Sequence, residues 1–215
     1  MLRVQIIPVT HYQQNCSLVW CEQSREAALV DPGGEAQKLI DAVERSGLRL
    51  TKVLLTHGHM DHVGAAAEVA RAFEVPIIGP HKEELFWLGM LDQQAQMMGF
   101  EPCEAVHPDQ WLADGDTVTL GQHQLQVRHC PGHTPGHVVF VDCAAKIAFV
   151  GDVLFKGSVG RTDFPRGDQA QLVQAITTKL WPLGDDIQFV PGHGPVSTFG
   201  AERASNPFVA DKNFG

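Results

Sequence analysis

The stretch Thr56-His57-Gly58-His59-Met60-Asp61-His62 puts three imidazoles and one carboxylate within six residues, 57–62. It follows the apolar run Val53-Leu54-Leu55 and precedes an alanine-rich segment from Val63 to Ala72. The first reads as a buried strand and the second as a helix. The four polar groups therefore fall in a strand-to-helix connection, where a rigid scaffold can aim them. Neutral imidazole suits zinc, iron and nickel, and a carboxylate adds compensating charge. Four donors in one loop are too many for a single closed tetrahedral site that also recruits ligands from elsewhere. The loop is read as serving two metals side by side, His57 and His59 facing one, Asp61 and His62 the other. The plain alternative is a histidine-rich polar loop with no metal.

Working outward, His133, Asp152 and His193 share one context: each stands just past an apolar strand and follows Gly or Pro-Gly. Glycine lets the backbone turn sharply and approach a neighbouring group. With the first cluster the sum is five His and two Asp. That makes two sites of three terminal ligands each, with one carboxylate left over to bridge.

The pattern around these motifs is that of α/β layers with helices outside. Strands are expected at Leu2–Pro8, Cys16–Cys21, Ala27–Val30, Lys52–Leu55, Val75–Ile78, Thr117–Leu120, Gln124–His129, Val138–Val141, Lys146–Val150 and Ile187–Val190. Helices are expected at Glu35–Ser46, Asp61–Phe73 and Asp168–Leu180, with Asp168 as an N-cap. His81–Met98 reads as a helical excursion whose face of Phe86, Trp87, Met90, Leu91, Met97 and Met98 serves either the core or a lid over substrate. Asp31, before Pro32-Gly33-Gly34, is either a turn residue or a group that fixes the metal loop.

Composition narrows the function classes. The 215 residues, 44% hydrophobic and 19% charged, suit one domain over 1–215 with a sizeable core. A formal net charge of -9 offers no basic face for nucleic acid. No stretch is long and apolar enough to span a bilayer, and Met1–Pro8 lacks the apolar core of a secretory signal. Five cysteines without a C-x-x-C pair fit free thiols in a reducing, cytoplasmic compartment.

Taken together, Thr56–His62, Pro131–His137, Gly151–Phe155 and Gly192-His193-Gly194 resemble the metallo-beta-lactamase superfamily, in the family's order and over nearly the whole chain. The resemblance implies a four-layer αββα sandwich with the metals at one edge between two sheets. Within the superfamily the pattern is similar to glyoxalase II and its relatives, of the short YcbL type. By that match His57, His59 and His133 would hold one metal, Asp61, His62 and His193 the second, and Asp152 would bridge. Asp61 and Asp152 are thereby the carboxylates of the catalytic centre, and Asp31 matches a residue that braces the loop. The implied cofactor is two divalent ions, zinc first, with iron or manganese as alternatives. The implied reaction is hydrolysis of a small-molecule thioester, S-lactoylglutathione to lactate and glutathione, by a hydroxide shared between the metals. His137 is read as an orienting group or a plain loop residue.

Departures from the family pattern bear on the substrate. Only 22 residues follow His193, so no counterpart of the C-terminal helical domain that helps full-length glyoxalase II hold glutathione is expected. Pro195 stands where the family has Tyr. Arg161 matches a basic residue of the family's loop, and with Lys156 it is the candidate for substrate binding; solvated loop charges are the alternative. Gly160-Arg161-Thr162-Asp163-Phe164 also resembles mononuclear iron persulfide dioxygenases, but His137 and Gly192-His193-Gly194 depart from them. A third reading is a non-catalytic metal-binding scaffold.

Overall fold

The computed structural model describes residues 1–213, so the last two residues of the expected 1–215 span lie outside it. Strands β1 (Leu2–Val9), β2 (Gln14–Cys21), β3 (Glu26–Val30), β4 (Arg49–Leu54) and β5 (Ile77–Ile78) form one sheet in that order. The first two pairings are antiparallel, and β3–β4 and β4–β5 are parallel. Parallel neighbours need crossovers, supplied by α1 (Ala36–Ser46) and by the pair α2 (Met60–Val63) and α3 (Ala66–Phe73). An excursion follows, with α4 (Leu85–Leu88) and α5 (Leu91–Met98).

The second sheet is built from β6 (Thr117–Leu120), β7 (His123–His129), β8 (Val138–Asp142) and β9 (Ile147–Gly151). A small hairpin, β10 (Leu154–Phe155) with β11 (Ser158–Val159), and helix α6 (Gln169–Ala175) then lead to β12 (Gln188–Pro191), β13 (Ser197–Thr198) and α7 (Phe199–Ser205). The spatial order is β13-β12-β9-β8-β7-β6, with β12 parallel to β9.

Side-chain alternation explains the layering, because successive residues of a strand point to opposite faces. In β3, Ala27 and Leu29 pack with Leu39 and Val43 of α1 and Val69 of α3, while Ala28 and Val30 turn toward the second sheet. In β8, Val139 and Val141 pack with Leu172 and Ala175 of α6, while Val138 and Phe140 meet Ala28 and Val30. Three apolar seams result, helix on sheet, sheet on sheet and sheet on helix. Central strands buried on both faces read as continuous apolar runs. This is an αββα sandwich.

The observed elements differ from expectation at a few points. The helix expected over Asp61–Phe73 is broken between α2 and α3. A side chain at Gly64 would lie 2.7 Å from the Gly33 carbonyl oxygen, and the Ala65 N–H leaves the helix to bond the Pro32 carbonyl at 2.9 Å. β5 shortens to two residues, since the Val75 N–H is taken by the Ala70 carbonyl at the end of α3. The helix begun at Asp168 finishes as π-helix over Ile176–Leu180. Trp87, Leu88 and Leu91 of the excursion are buried; Leu88 and Leu91 lie in the first helix–sheet seam, so the core reading holds for those two, whereas Trp87 packs against His59. Leu85 and Met97 are exposed. No helix among the described residues is long and apolar enough to cross a membrane.

Candidate metal centre

All seven expected donors stand at one rim of the sandwich, where strands of both sheets end. His57 and His59 follow β4, with His59 opening α2, and Asp61 and His62 lie on that helix. His133 lies between β7 and β8, Asp152 follows β9, and His193 follows β12. The rim is stitched by backbone bonds between sheets: Val138 N–H to the Thr56 carbonyl at 2.8 Å, and Asn15 N–H to the Gly192 carbonyl at 2.7 Å. The Asn15 side chain adds bonds to the carbonyls of Pro191 and Gly194 at 3.1 and 2.9 Å.

Three groups of donors converge: His57, His59 and His133; Asp61, His62 and His193; and Asp31 with His57 and His62, whose carboxylate is already taken up by bonds from Thr56 and His62. In the first, Nδ1 of His59 lies 3.1 Å from Nε2 of His57 and 3.0 Å from Nε2 of His133. Zinc–nitrogen bonds of about 2.0–2.1 Å would set two nitrogens of a tetrahedral set about 3.3 Å apart. In the second, Nε2 of His193 lies 3.1 Å from Oδ2 of Asp61, and Nε2 of His62 lies 4.0 Å from the same oxygen. Asp152 stands between the trios, Oδ1 3.3 Å from His62 Nε2 and Oδ2 3.6 and 3.8 Å from Nε2 of His133 and His193.

Ring protons can be placed from the partners each histidine has. Thr56 Oγ1 donates to Asp31 Oδ2 at 2.5 Å, so His57 Nδ1–H donates to Thr56 Oγ1 at 3.0 Å. His62 donates from Nδ1 to Asp31 at 2.9 Å, His133 to the Arg161 carbonyl at 2.7 Å, and His193 to the Tyr12 carbonyl at 3.1 Å. All four therefore present Nε2 to the centre, and His59 presents Nδ1. At most one proton, on His59, is available among three converging nitrogens of the first trio. His62 Nε2 and Asp152 Oδ1 are buried without a hydrogen bond. Crowded lone pairs and orphaned polar atoms of this kind are costly in a dry interior, and a cation satisfies them. The donor set therefore fits divalent metal.

Electrostatics divide the trios. Burial, reinforced by the neighbouring imidazoles, drives His57 and His59 well below the ordinary histidine value, and burial also lowers His133. These rings are neutral, the form that ligates. Burial opposes charge on His62 and His193 as well, but Asp152 and Asp61 outweigh it and hold both above the ordinary value. Burial works against ionising Asp152, yet His62 and His133 overcome it and hold the carboxyl far below the usual range. Asp61 and Asp152 thus supply the negative potential around the second trio, which without a cation favours the protonated rings of His62 and His193.

Supporting residues fall into place around the donors. Asp31 is more than a turn residue: buried, it accepts from Thr56 N–H at 2.7 Å, from the Thr56 hydroxyl and from His62. His137 offers no nitrogen to the trios. Its Nε2 accepts from the Asp152 N–H at 3.0 Å, and Nδ1–H points to the Val138 carbonyl at 3.1 Å. Gly192 is required by close approach, since a Cβ there would lie 2.1 Å from Asp152 Oδ1. Lys156 is exposed in the β10–β11 turn, and exposed Arg161 is engaged in a two-pronged pair with Asp163 at 3.0 and 2.8 Å. The Arg161 guanidinium also covers Phe164 at 4.5 Å, and that ring lies 5.2 Å from His59 and 5.7 Å from His133. Sequence reasoning missed Asn15, whose motif-free setting in β2 carries no signal. It also missed Tyr12, which acts through its backbone.

The chain belongs to the metallo-beta-lactamase superfamily, whose family model matches residues 9–193, a span that holds every donor. Among its relatives is the hydroxyacylglutathione hydrolase GloC of Haemophilus influenzae, 47% identical over 213 residues and covering 99% of this chain and 100% of the relative. Two crystal structures share the fold at 36% identity: the B3 metallo-beta-lactamase BLEG-1 and TTHA1623 in a di-iron-bound form. The TM-score is 0.88 for BLEG-1, covering 97% of this chain and 99% of that one. It is 0.87 for TTHA1623, covering 96% and 100%.

Proposed function

We propose that the protein is a binuclear metal-dependent hydrolase of glyoxalase II type, cleaving S-lactoylglutathione or a related hydroxyacyl thioester. One observation carries this reading. A single carboxylate, Asp152, stands between two complete trios of donors. His57, His59 and His133 would hold one divalent ion, Asp61, His62 and His193 the other, with Asp152 shared. Zinc is the first choice, and iron or manganese would use the same ligands. Such a pair of ions lowers the pKa of water from 15.7 toward about 7 and polarises a carbonyl.

The chain's own residues set the stage for that chemistry. Asp31, Thr56 and the carbonyls of Arg161 and Tyr12 take the Nδ1 protons and keep four rings turned toward the centre. Phe164 and Trp87 wall the first trio and exclude water from that side. Lys156, and Arg161 on exchanging Asp163 for substrate, would supply positive charge for the carboxylates of a glutathione moiety. A thiolate leaving group, with a pKa of about 8.5, needs no strong general acid. A cytoplasmic location is in keeping with five cysteines that stand unpaired in the structure.

The test pairs metal analysis of the purified protein with hydrolysis of S-lactoylglutathione and oxygen uptake with glutathione persulfide. Two metals per chain, thioester hydrolysis and no oxygen uptake are expected. Oxygen uptake with one bound iron would replace the reading with a dioxygenase. Metal without either activity would leave a scaffold.

A further inference from the structure

The excursion between the two sheets carries a buried carboxylate that the metal chemistry leaves unused. Glu84 is fully buried, and its two oxygens divide between the two loops that bear the first trio. Oε2 accepts from Gly58 N–H, between His57 and His59, at 2.7 Å. Oε1 accepts from Gly136 N–H, three residues past His133, at 2.6 Å. Both contacts depend on missing side chains: a Cβ at Gly58 would lie 3.0 Å from Glu84 Oε2, and one at Gly136 2.8 Å from its Cγ. Gln94 of α5, also buried, grips the same loop from the next turn. Its Oε1 accepts from Met60 N–H at 3.0 Å, and its Nε2 donates to the carbonyls of Gly58 and Trp87 at 3.2 and 2.9 Å. Burial pushes the Glu84 carboxyl up to about 7, and the Thr134 side chain, followed by the Gly136 and Gly58 N–H groups, acts against that rise.

An acceptor shared between two N–H donors on different loops fixes the distance between those loops. A neutral amide cannot replace it, because its NH2 would face a second donor. We propose that Glu84, with Gln94, is a positioning group for the first metal: it locks the His57–His59 loop to the His133 loop so that three imidazoles keep one focus. This rests on the binuclear reading above. The excursion is then a clamp on the metal loops, beyond its contribution to the core.

The test titrates metal-free protein with zinc against a chromophoric chelator, alongside urea unfolding of the same metal-free samples. The wild-type chain is expected to bind two equivalents. Glu84→Gln should weaken one equivalent about 10- to 100-fold, the range for partners that orient metal ligands, and leave the other unchanged. Asp142→Asn removes a buried carboxylate at the far end of β8, where it bonds His123 and Ala145 N–H. It should lower the urea midpoint with both equivalents intact. Should Glu84→Gln fail to fold, Gln94→Met decides, with the same selective weakening expected. Wild-type affinity for both equivalents in a folded clamp variant, or equal weakening of both, overturns the clamp and leaves the binuclear reading standing. A wild-type chain that binds no zinc, iron or manganese overturns both.

Discussion

Replacing Asp31 by alanine strips three buried donors of their acceptor: Thr56 N–H, the Thr56 hydroxyl and His62 Nδ1–H. Leaving a buried donor unpaired costs about 1–3 kcal/mol. The hydroxyl can swing its proton away, so the low end is appropriate, about 3 kcal/mol for the three. Asp31 also sits at φ 52°, in the left-handed region, where alanine adds about 1 kcal/mol of strain. The sum of about 4 kcal/mol is a large part of the 5–15 kcal/mol typical of a folded protein. With a urea slope of about 2–3 kcal/mol/M, the midpoint of metal-free Asp31→Ala should fall by about 1.5 M. Asp31→Asn tolerates the backbone and keeps one acceptor for Thr56 N–H, so it should recover about 1–2 kcal/mol of that loss. Unfolding followed by circular dichroism in the presence of a chelator measures both. A midpoint within about 0.2 M of wild type for Asp31→Ala, equivalent to about 0.5 kcal/mol, would refute the accounting.

Asp152→Ala should lose both stable metal binding and nearly all thioester hydrolysis, read by metal analysis and the S-lactoylglutathione assay; full activity with two bound metals would remove its bridging role. Arg161→Ala should raise KM about three- to fivefold for glutathione thioesters, a small effect because the residue is solvent-screened, and leave neutral thioesters unchanged. Equal effects on both substrate types would take Arg161 out of recognition. Cys143 is exposed, whereas burial pushes the Cys130 thiol up to about 12 and raises Cys16 as well. A thiol with a raised value holds less thiolate at any lower pH, so alkylation between pH 7 and pH 9 should label Cys143 and spare Cys16 and Cys130, as mass spectrometry of peptides would report. Labelling of Cys130 at a rate near that of Cys143 would contradict its burial.

The candidate metal donors were legible in the sequence as a set because their spacing is local, and the fold brings them together at one rim. His57 to His62 form a cluster at fixed spacing, and His133, Asp152 and His193 each follow a strand and a glycine. The layered sheets were readable for a similar reason, since Val138–Val141 and Ala27–Val30 are apolar on both faces. Glu84 was not readable. In Lys82-Glu83-Glu84 it looks like any solvated charge, and only the folding of the excursion onto both glycine loops buries it. The break at Gly64-Ala65 depends on contacts with Gly33 and Pro32, a loop thirty residues upstream, which no helical periodicity contains. Two-residue strands such as β10, β11 and β13 have no period to detect. Arg161 was legible as a charge but not as the partner of Asp163, nor as a residue whose carbonyl steadies His133.

Because every donor projects from a single rim, the opposite ends of the strands are left without chemical duty. The turn from Cys143 to Lys146 joins β8 and β9 there, and Glu22 to Arg25 joins β2 and β3. These are the places to graft a label, a reporter or a fused domain, since added bulk would project away from the reacting atoms. Selection can likewise vary them for solubility or partnership while catalysis stays constant, a division of labour written into the direction in which each strand runs.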